Sequence, residues 1–135
     1  LLKSGKSFPF LVTTIIAKLI YSKKRWVMSV KIFIDSELRS IFKKKKLPDN
    51  YVNYFHNLIE VLTGNNRKLC LEGSISINTI KKKDKRTSKT YRNFFYKCLN
   101  EKIFTKLEKG KYLDDVYFIS IDPCLCKHII VREES

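Results

Sequence analysis

Histidine is scarce in this chain, acids are outnumbered, and hydrophobic runs are short. Only two histidines, His56 and His128, serve 135 residues. No Ser/His/Asp or Cys/His nucleophile arrangement stands out around them, so the chain reads as a binding protein and not as an enzyme. Thirteen Asp and Glu face 28 Lys and Arg, a formal net charge of +15. A charge of that size concerns partners more than fold, and it points to a polyanion: DNA, RNA or an anionic membrane surface. The apolar stretch from Phe8 to Ile20 has 13 residues and is broken by Lys18. A membrane-spanning helix needs about 20, so no spanning segment is expected.

Lys3 and Lys6 precede that stretch as in a signal-peptide n-region. No small-x-small cleavage site follows, and Lys23-Lys24-Arg25 comes next instead. The sole methionine is Met28. The expectation is a hydrophobic and basic leader over residues 1–27, outside the functional protein, and one domain over 28–135, large enough for a modest core.

Other chemistry is thinly supplied. Gly5-Lys6-Ser7 copies the end of a phosphate-binding loop, but the upstream glycine and preceding strand are missing. Cys124-x-Cys126-x-His128 brings two thiols and an imidazole together, one ligand short of a structural zinc site. Strand and tail packing is the preferred reading there, and an oligomer that completed the site is the alternative. Neither metal nor cofactor is assigned. Cys98 falls on the apolar face of an expected helix and Cys70 in an apolar run, so both read as small buried hydrophobes in a reduced, cytoplasmic protein. Asp114, Asp115 and Asp122 could be nuclease acids, but they sit in a hairpin beside lysines and are read as shaping it.

Along the chain, Lys31 to Ile34 alternates as a short strand. Asp35 or Ser36 can cap a helix bearing Leu38, Ile41 and Phe42, and Lys43 to Lys46 forms a solvated patch before Leu47-Pro48. A second helix starts at Asp49 or Asn50, carries Tyr51, Val52, Phe55, Leu58, Ile59 and Leu62 at helical spacing, and ends at Gly64-Asn65-Asn66. His56 on that helix is structural or solvated. Residues 68–75 are short and apolar, suited to the first strand of a three-stranded sheet.

The stretch from Ser76 to Pro123 is the most informative. Up to Lys111 it holds 12 of the 28 Lys and Arg and three acids, Asp84, Glu101 and Glu108. Ser76 caps a short helix over SINTIKKKDK, with Lys81, Lys82, Lys83 and Lys85 on its outside. The turn Arg86-Thr87-Ser88 lacks the frequent turn glycine, and Ser88 is read as the cap of a longer helix. On that helix Tyr91, Phe94, Phe95, Cys98 and Leu99 take one face. Lys89, Thr90, Arg92, Asn93 and Lys97 take the other, with Tyr96 near the border. Arg can bond guanine bidentately and Asn adenine, while Lys, Ser and Thr near the helix start suit phosphates. A hairpin follows, Phe104 to Leu107 and Val116 to Ile121, with Lys109 and Lys111 at its tip around Gly110. The fold class expected is α+β, a winged helix-turn-helix with a mainly helical core and a β-hairpin wing.

Ser88-Lys89-Thr90 opening the helix, Asn100 to Ile103 at its exit, Gly110-Lys111-Tyr112 in the hairpin and Ile121 to Leu125 at the finish carry a further likeness. Over residues 76–126 the chain resembles the winged-helix region of plasmid replication proteins of the RepL type from low-GC bacteria. The resemblance implies origin binding in plasmid or phage replication initiation or copy control, with the Ser88 to Lys97 helix reading the DNA. Double-stranded DNA is the expected partner, with host replication proteins and a homodimer left open. The candidate DNA-binding residues are Lys81, Lys82, Lys83, Lys85, Arg86, Ser88, Lys89, Thr90, Arg92, Asn93, Lys97, Lys109 and Lys111. A transcriptional regulator on the same scaffold is the nearest alternative. A membrane-surface protein anchored through residues 1–27 is the alternative from another class, and RNA binding through Phe94, Phe95 and Tyr96 a third.

Overall fold

The computed structural model describes residues 29–112 and 115–134. Two compact units divide the chain, Lys31–Arg132 and a second made of Leu1–Val30 with Glu133–Ser135. Of the second, the described residues are the first two of β1 and the last two of β5; the leader expected over residues 1–27 and the Gly5-Lys6-Ser7 motif lie outside the described residues. The order is β1 (Ser29–Ile34), α1 (Ser36–Lys44), α2 (Tyr51–Thr63), β2 (Glu72–Ser76), α3 (Ile77–Lys81), α4 (Ser88–Asn100), β3 (Phe104–Lys109), β4 (Val116–Ile121), a 3-10 turn (Pro123–His128) and β5 (Ile129–Glu134). The class is α+β, with a two-stranded β1-β5 sheet and an antiparallel β2-β4-β3 sheet.

Three of the helices, α1, α3 and α4, form where the sequence supplies apolar positions and a side-chain cap, while α2 starts after Asn50 with no side-chain cap bond. Asp35 Oδ1 accepts the Leu38 amide at 3.0 Å and begins α1, which buries Leu38 and Phe42. The α2 stripe buries Val52, Tyr54, Phe55, Leu58 and Ile59. His56 is structural, as expected: its Nε2 lies 2.7 Å from the Ile32 carbonyl and ties α2 to β1. Ser76 Oγ accepts the Asn78 amide and starts α3, again as expected.

Two local expectations need correction. Helix α3 stops at Lys81 and passes into a turn, because Lys85 adopts a left-handed conformation (φ +59°) and closes back on the Lys81 carbonyl at 2.8 Å. Lysine thus fills the position that glycine usually takes in such a turn, at a cost of about 1–2 kcal/mol. The cap of α4 is Thr87, not Ser88: Thr87 Oγ1 accepts the Thr90 amide at 3.2 Å. The Ser88 hydroxyl is already engaged, accepting from Lys81 Nζ at 3.0 Å.

The core gathers around the inner face of α4. Tyr91, Phe94, Phe95 and Cys98 are all fully buried. The Phe94 ring meets Tyr51 and Tyr54 of α2 at 5.1 and 5.7 Å and Phe104 of β3 at 6.1 Å, while Phe95 meets Tyr117 of β4 at 5.3 Å. Each such edge or tilted pair adds about 0.5–1.5 kcal/mol beyond the area it removes from water. One polar knot lies within this packing. The Tyr91 hydroxyl donates to Asp84 Oδ2 at 2.7 Å, and Asn57 Nδ2 donates to the same carboxylate and to the hydroxyl. It fixes α2, the turn and α4 to one another. Burial, with the Asp84 carboxylate behind it, pushes the Tyr91 hydroxyl well above its ordinary pKa.

The hairpin is set by alternation. Tyr117, Ile119 and Ile121 of β4 point inward, and β4 pairs on one side with β2 (Ile75 opposite Tyr117) and on the other with β3 (Leu107 opposite Ile119). The strand expected over residues 68–75 is present as β2, but it begins only at Glu72 and runs to Ser76. All four cysteines are free thiols; Cys98 is buried and Cys70 half-buried.

Candidate nucleic-acid interface

Burial of Tyr91, Phe94, Phe95 and Cys98 leaves the opposite side of α4 in solvent. That side presents Lys89, Asn93, Tyr96, Lys97 and Asn100, all exposed. Thr90, Arg92 and Leu99 lie half-buried along its flanks. The outer face is therefore cationic at Lys89 and Lys97 and carries two amides between and beyond them.

Tyr96, expected near the border, belongs to this face. Its side of the helix lies only about 60° from Asn93, and it is 50 % exposed. Its ring leans edge-on against Tyr117 at 6.2 Å. The aromatic character of Tyr96 obscured a position that helical spacing gives. Tyr51, Asn93, Tyr96, Lys97, Leu99 and Asn100 surround an open depression of ≈ 490 Å³ beside this face.

Arg92 is different from its neighbours. Its Nη1 donates to Asp115 Oδ1 at 2.7 Å. Asp115 itself sits in the left-handed region (φ +63°), and its carbonyl accepts the Ile77 amide at 2.9 Å. One residue at the base of β4 thus joins the hairpin to α3 and α4. Arg92 is committed to that joint, whereas Asn93 and its exposed neighbours on the outer face keep their polar groups toward solvent.

The cations of the α3 end divide in the same way. Lys81 Nζ holds Ser88, and Lys83 Nζ pairs with Glu60 of α2 at 3.4 Å. Lys82, Lys85 and Arg86 are exposed. In the hairpin, Lys109, Lys111 and Tyr112 are exposed, the tyrosine at 93 %. Lys106 Nζ leans toward Glu108 at 3.6 Å and over the Phe118 ring at 5.4 Å. The lysine patch at the end of α1 is partly structural: Lys45 Nζ donates to the Glu101 carbonyl at 2.8 Å and satisfies the end of α4. That satisfies a helix-end carbonyl that has no partner within α4.

The Cys124, Cys126 and His128 cluster does not assemble. Both thiols are exposed, while His128 is buried and bonded to Asp35. Among the described residues, ligand atoms come together within 4.8 Å at Asp35, Glu37 and His128 instead. Among the described residues no helix is long and apolar enough to cross a membrane. No family model matches this chain, and comparisons with curated proteins and with solved structures return no match.

Proposed function

We propose that this chain is a winged-helix protein that binds double-stranded DNA sequence-specifically, with α4 as the reading helix and the β3–β4 hairpin as the wing. The observation that carries this reading is the division of α4 between a sealed aromatic face and an exposed face of lysines and amides, adjoined by a hairpin with lysines at its tip. The order α2, β2, α3, α4, β3, β4, with β4 between β2 and β3, supports it, since three helices and three strands in that order are what a winged helix requires.

A helix with side chains is about 10–12 Å across, and the major groove is about 12 Å wide. Seated there, Asn93 is placed to bond adenine through its amide, and Lys89 and Lys97 to hold phosphate or guanine. Lys109, Lys111 and Tyr112 then lie along the neighbouring backbone or minor groove. Lys82, Lys85 and Arg86 hold phosphates at the α3 end. Arg92 acts through Asp115, keeping the hairpin at a fixed angle to α4. The chain acts by binding and not by catalysis.

The resemblance to RepL-type proteins favours a role in plasmid or phage replication initiation, with a transcriptional regulator on the same scaffold as the second reading. The position of the bound site, origin or promoter, separates the two. An RNA-stacking role for Phe94 and Phe95 is disfavoured because both rings are fully buried. Selection of bound sequences from random duplex DNA, at stated salt, tests the proposal. Enrichment of a common motif is expected; a pool that stays random while binding persists would reduce the function to non-specific DNA binding, and no retention would remove it.

A further inference from the structure

A second site lies where β1 gives way to α1. Asp35 Oδ1 is held by the Leu38 amide, which turns Oδ2 toward Nδ1 of His128 at 3.0 Å. Glu37, in the first turn of α1, places Oε1 at 3.5 Å from the same nitrogen. The three ligand atoms lie within 4.8 Å of one another. The imidazole is 7 % exposed and the Glu37 side chain 78 %, so the cluster is walled on one side and open on the other. The backbone pins the same place: the Asp35 amide donates to the His128 carbonyl at 3.0 Å. Residues 93 positions apart are thus held together by main chain and side chain at once.

This spacing is suited to a metal ion. Bonds of about 2.0–2.2 Å in tetrahedral geometry put neighbouring ligand atoms about 3.4 Å apart. The two distances from His128 Nδ1, 3.0 and 3.5 Å, bracket that edge. Two carboxylates offset the charge of a divalent cation, and they exceed the roughly half positive charge at the helix N-terminus. Imidazole with carboxylate oxygens, and no thiolate, suits Zn²⁺ and neighbouring first-row ions. We propose that Asp35, Glu37 and His128 form a binding site for one divalent transition-metal ion, with a fourth position open to water beside Glu37. Bound there, the ion would clasp the start of α1 to the end of the 3-10 turn. The site shares no residue with the proposed DNA surface and does not rest on that reading.

The test is titration of the chelator-treated full chain with Zn²⁺ by calorimetry, and with Co²⁺ by visible absorption. One equivalent should bind, and Co²⁺ should show tetrahedral d–d bands without the strong charge-transfer absorption that thiolates give. Glu37→Gln alters an exposed side chain, and Asp35→Asn retains an oxygen able to cap α1; both should fold as the parent does. Each should weaken Zn²⁺ binding roughly 100-fold, as loss of even an outer-shell partner costs ten- to a hundredfold. Cys124→Ser with Cys126→Ser should leave it unchanged. No binding by the parent chain, binding by both carboxylate variants as tight as the parent's, or loss only in the double cysteine variant would overturn the proposal.

Discussion

Replacing Lys109 and Lys111 together by alanine measures the hairpin's share of the proposed interface. Both side chains are exposed, and among the described residues neither has an ion-pair partner. Of the candidate cations, Lys81, Lys83 and Arg92 are held by Ser88, Glu60 and Asp115. Lys82, Lys85, Arg86, Lys89, Lys97, Lys109 and Lys111 remain to meet phosphate. Each neutralised phosphate contributes about −0.9 to the slope of log K against log salt, so the full set gives about −6 and the double variant about −4.5. Between 50 and 200 mM salt the parent should then lose roughly 5,000-fold in affinity and the variant roughly 500-fold. Anisotropy titrations of a labelled duplex across that range read both slopes. The affinity loss at fixed salt should be the same on a selected duplex and on a scrambled one, because phosphate contacts carry no base information. An unchanged slope would take the hairpin out of the interface. A loss confined to one sequence would mean that the tip reads bases.

Asn93→Ala should cost about 1–3 kcal/mol on the selected duplex and little on scrambled DNA, whereas Arg92→Ala should weaken both alike by freeing Asp115 and the hairpin; paired binding curves separate the two. Because that ion pair is part-exposed, the Arg92 variant should lose no more than about 1 kcal/mol of stability. Phe94→Ala should cost about 3–5 kcal/mol in urea unfolding, since the ring is fully buried among five aromatic neighbours. Burial raises the hydroxyl pKa of Tyr51, Tyr91 and Tyr117 above 10.0. Above pH 10 the unfolded chain therefore releases protons that the folded chain keeps, so stability should hold up to about pH 10 and fall beyond it. Denaturant unfolding at stepped pH reads this; stability that rises above pH 10 would contradict it.

What the sequence revealed about α4 was local. Aromatic and cysteine residues recur at helical spacing, and their complement is polar, so both faces could be assigned before any contact was known. The same holds for the hairpin, where β4 alternates residue by residue and Gly110 marks the turn. What escaped was long-range or conformational. Arg92 and Asp115 are 23 residues apart, and their pairing exists only because the hairpin folds back on α4. His128 shares a Cys-x-Cys-x-His spacing with Cys124 and Cys126, and nothing in that spacing announces that the 3-10 turn aims it at Asp35 instead. Lys46, Lys85 and Lys102 adopt left-handed conformations for which lysine carries no signature. The Lys102 turn is closed by the Ile103 amide on the Cys98 carbonyl at 2.9 Å, so the closing bonds, not the residue type, dictate the turn.

Chemical-shift mapping of ¹⁵N-labelled protein with a selected duplex tests most directly whether DNA is held by the outer face of α4 and the hairpin. The amides of Lys89, Asn93, Tyr96 and Lys97, with those of Lys109 to Tyr112, should shift, while Ile32 to Ile34 and Ile129 to Val131 stay in place. Shifts confined to the β1–β5 sheet, with α4 unmoved at saturating duplex, would contradict it.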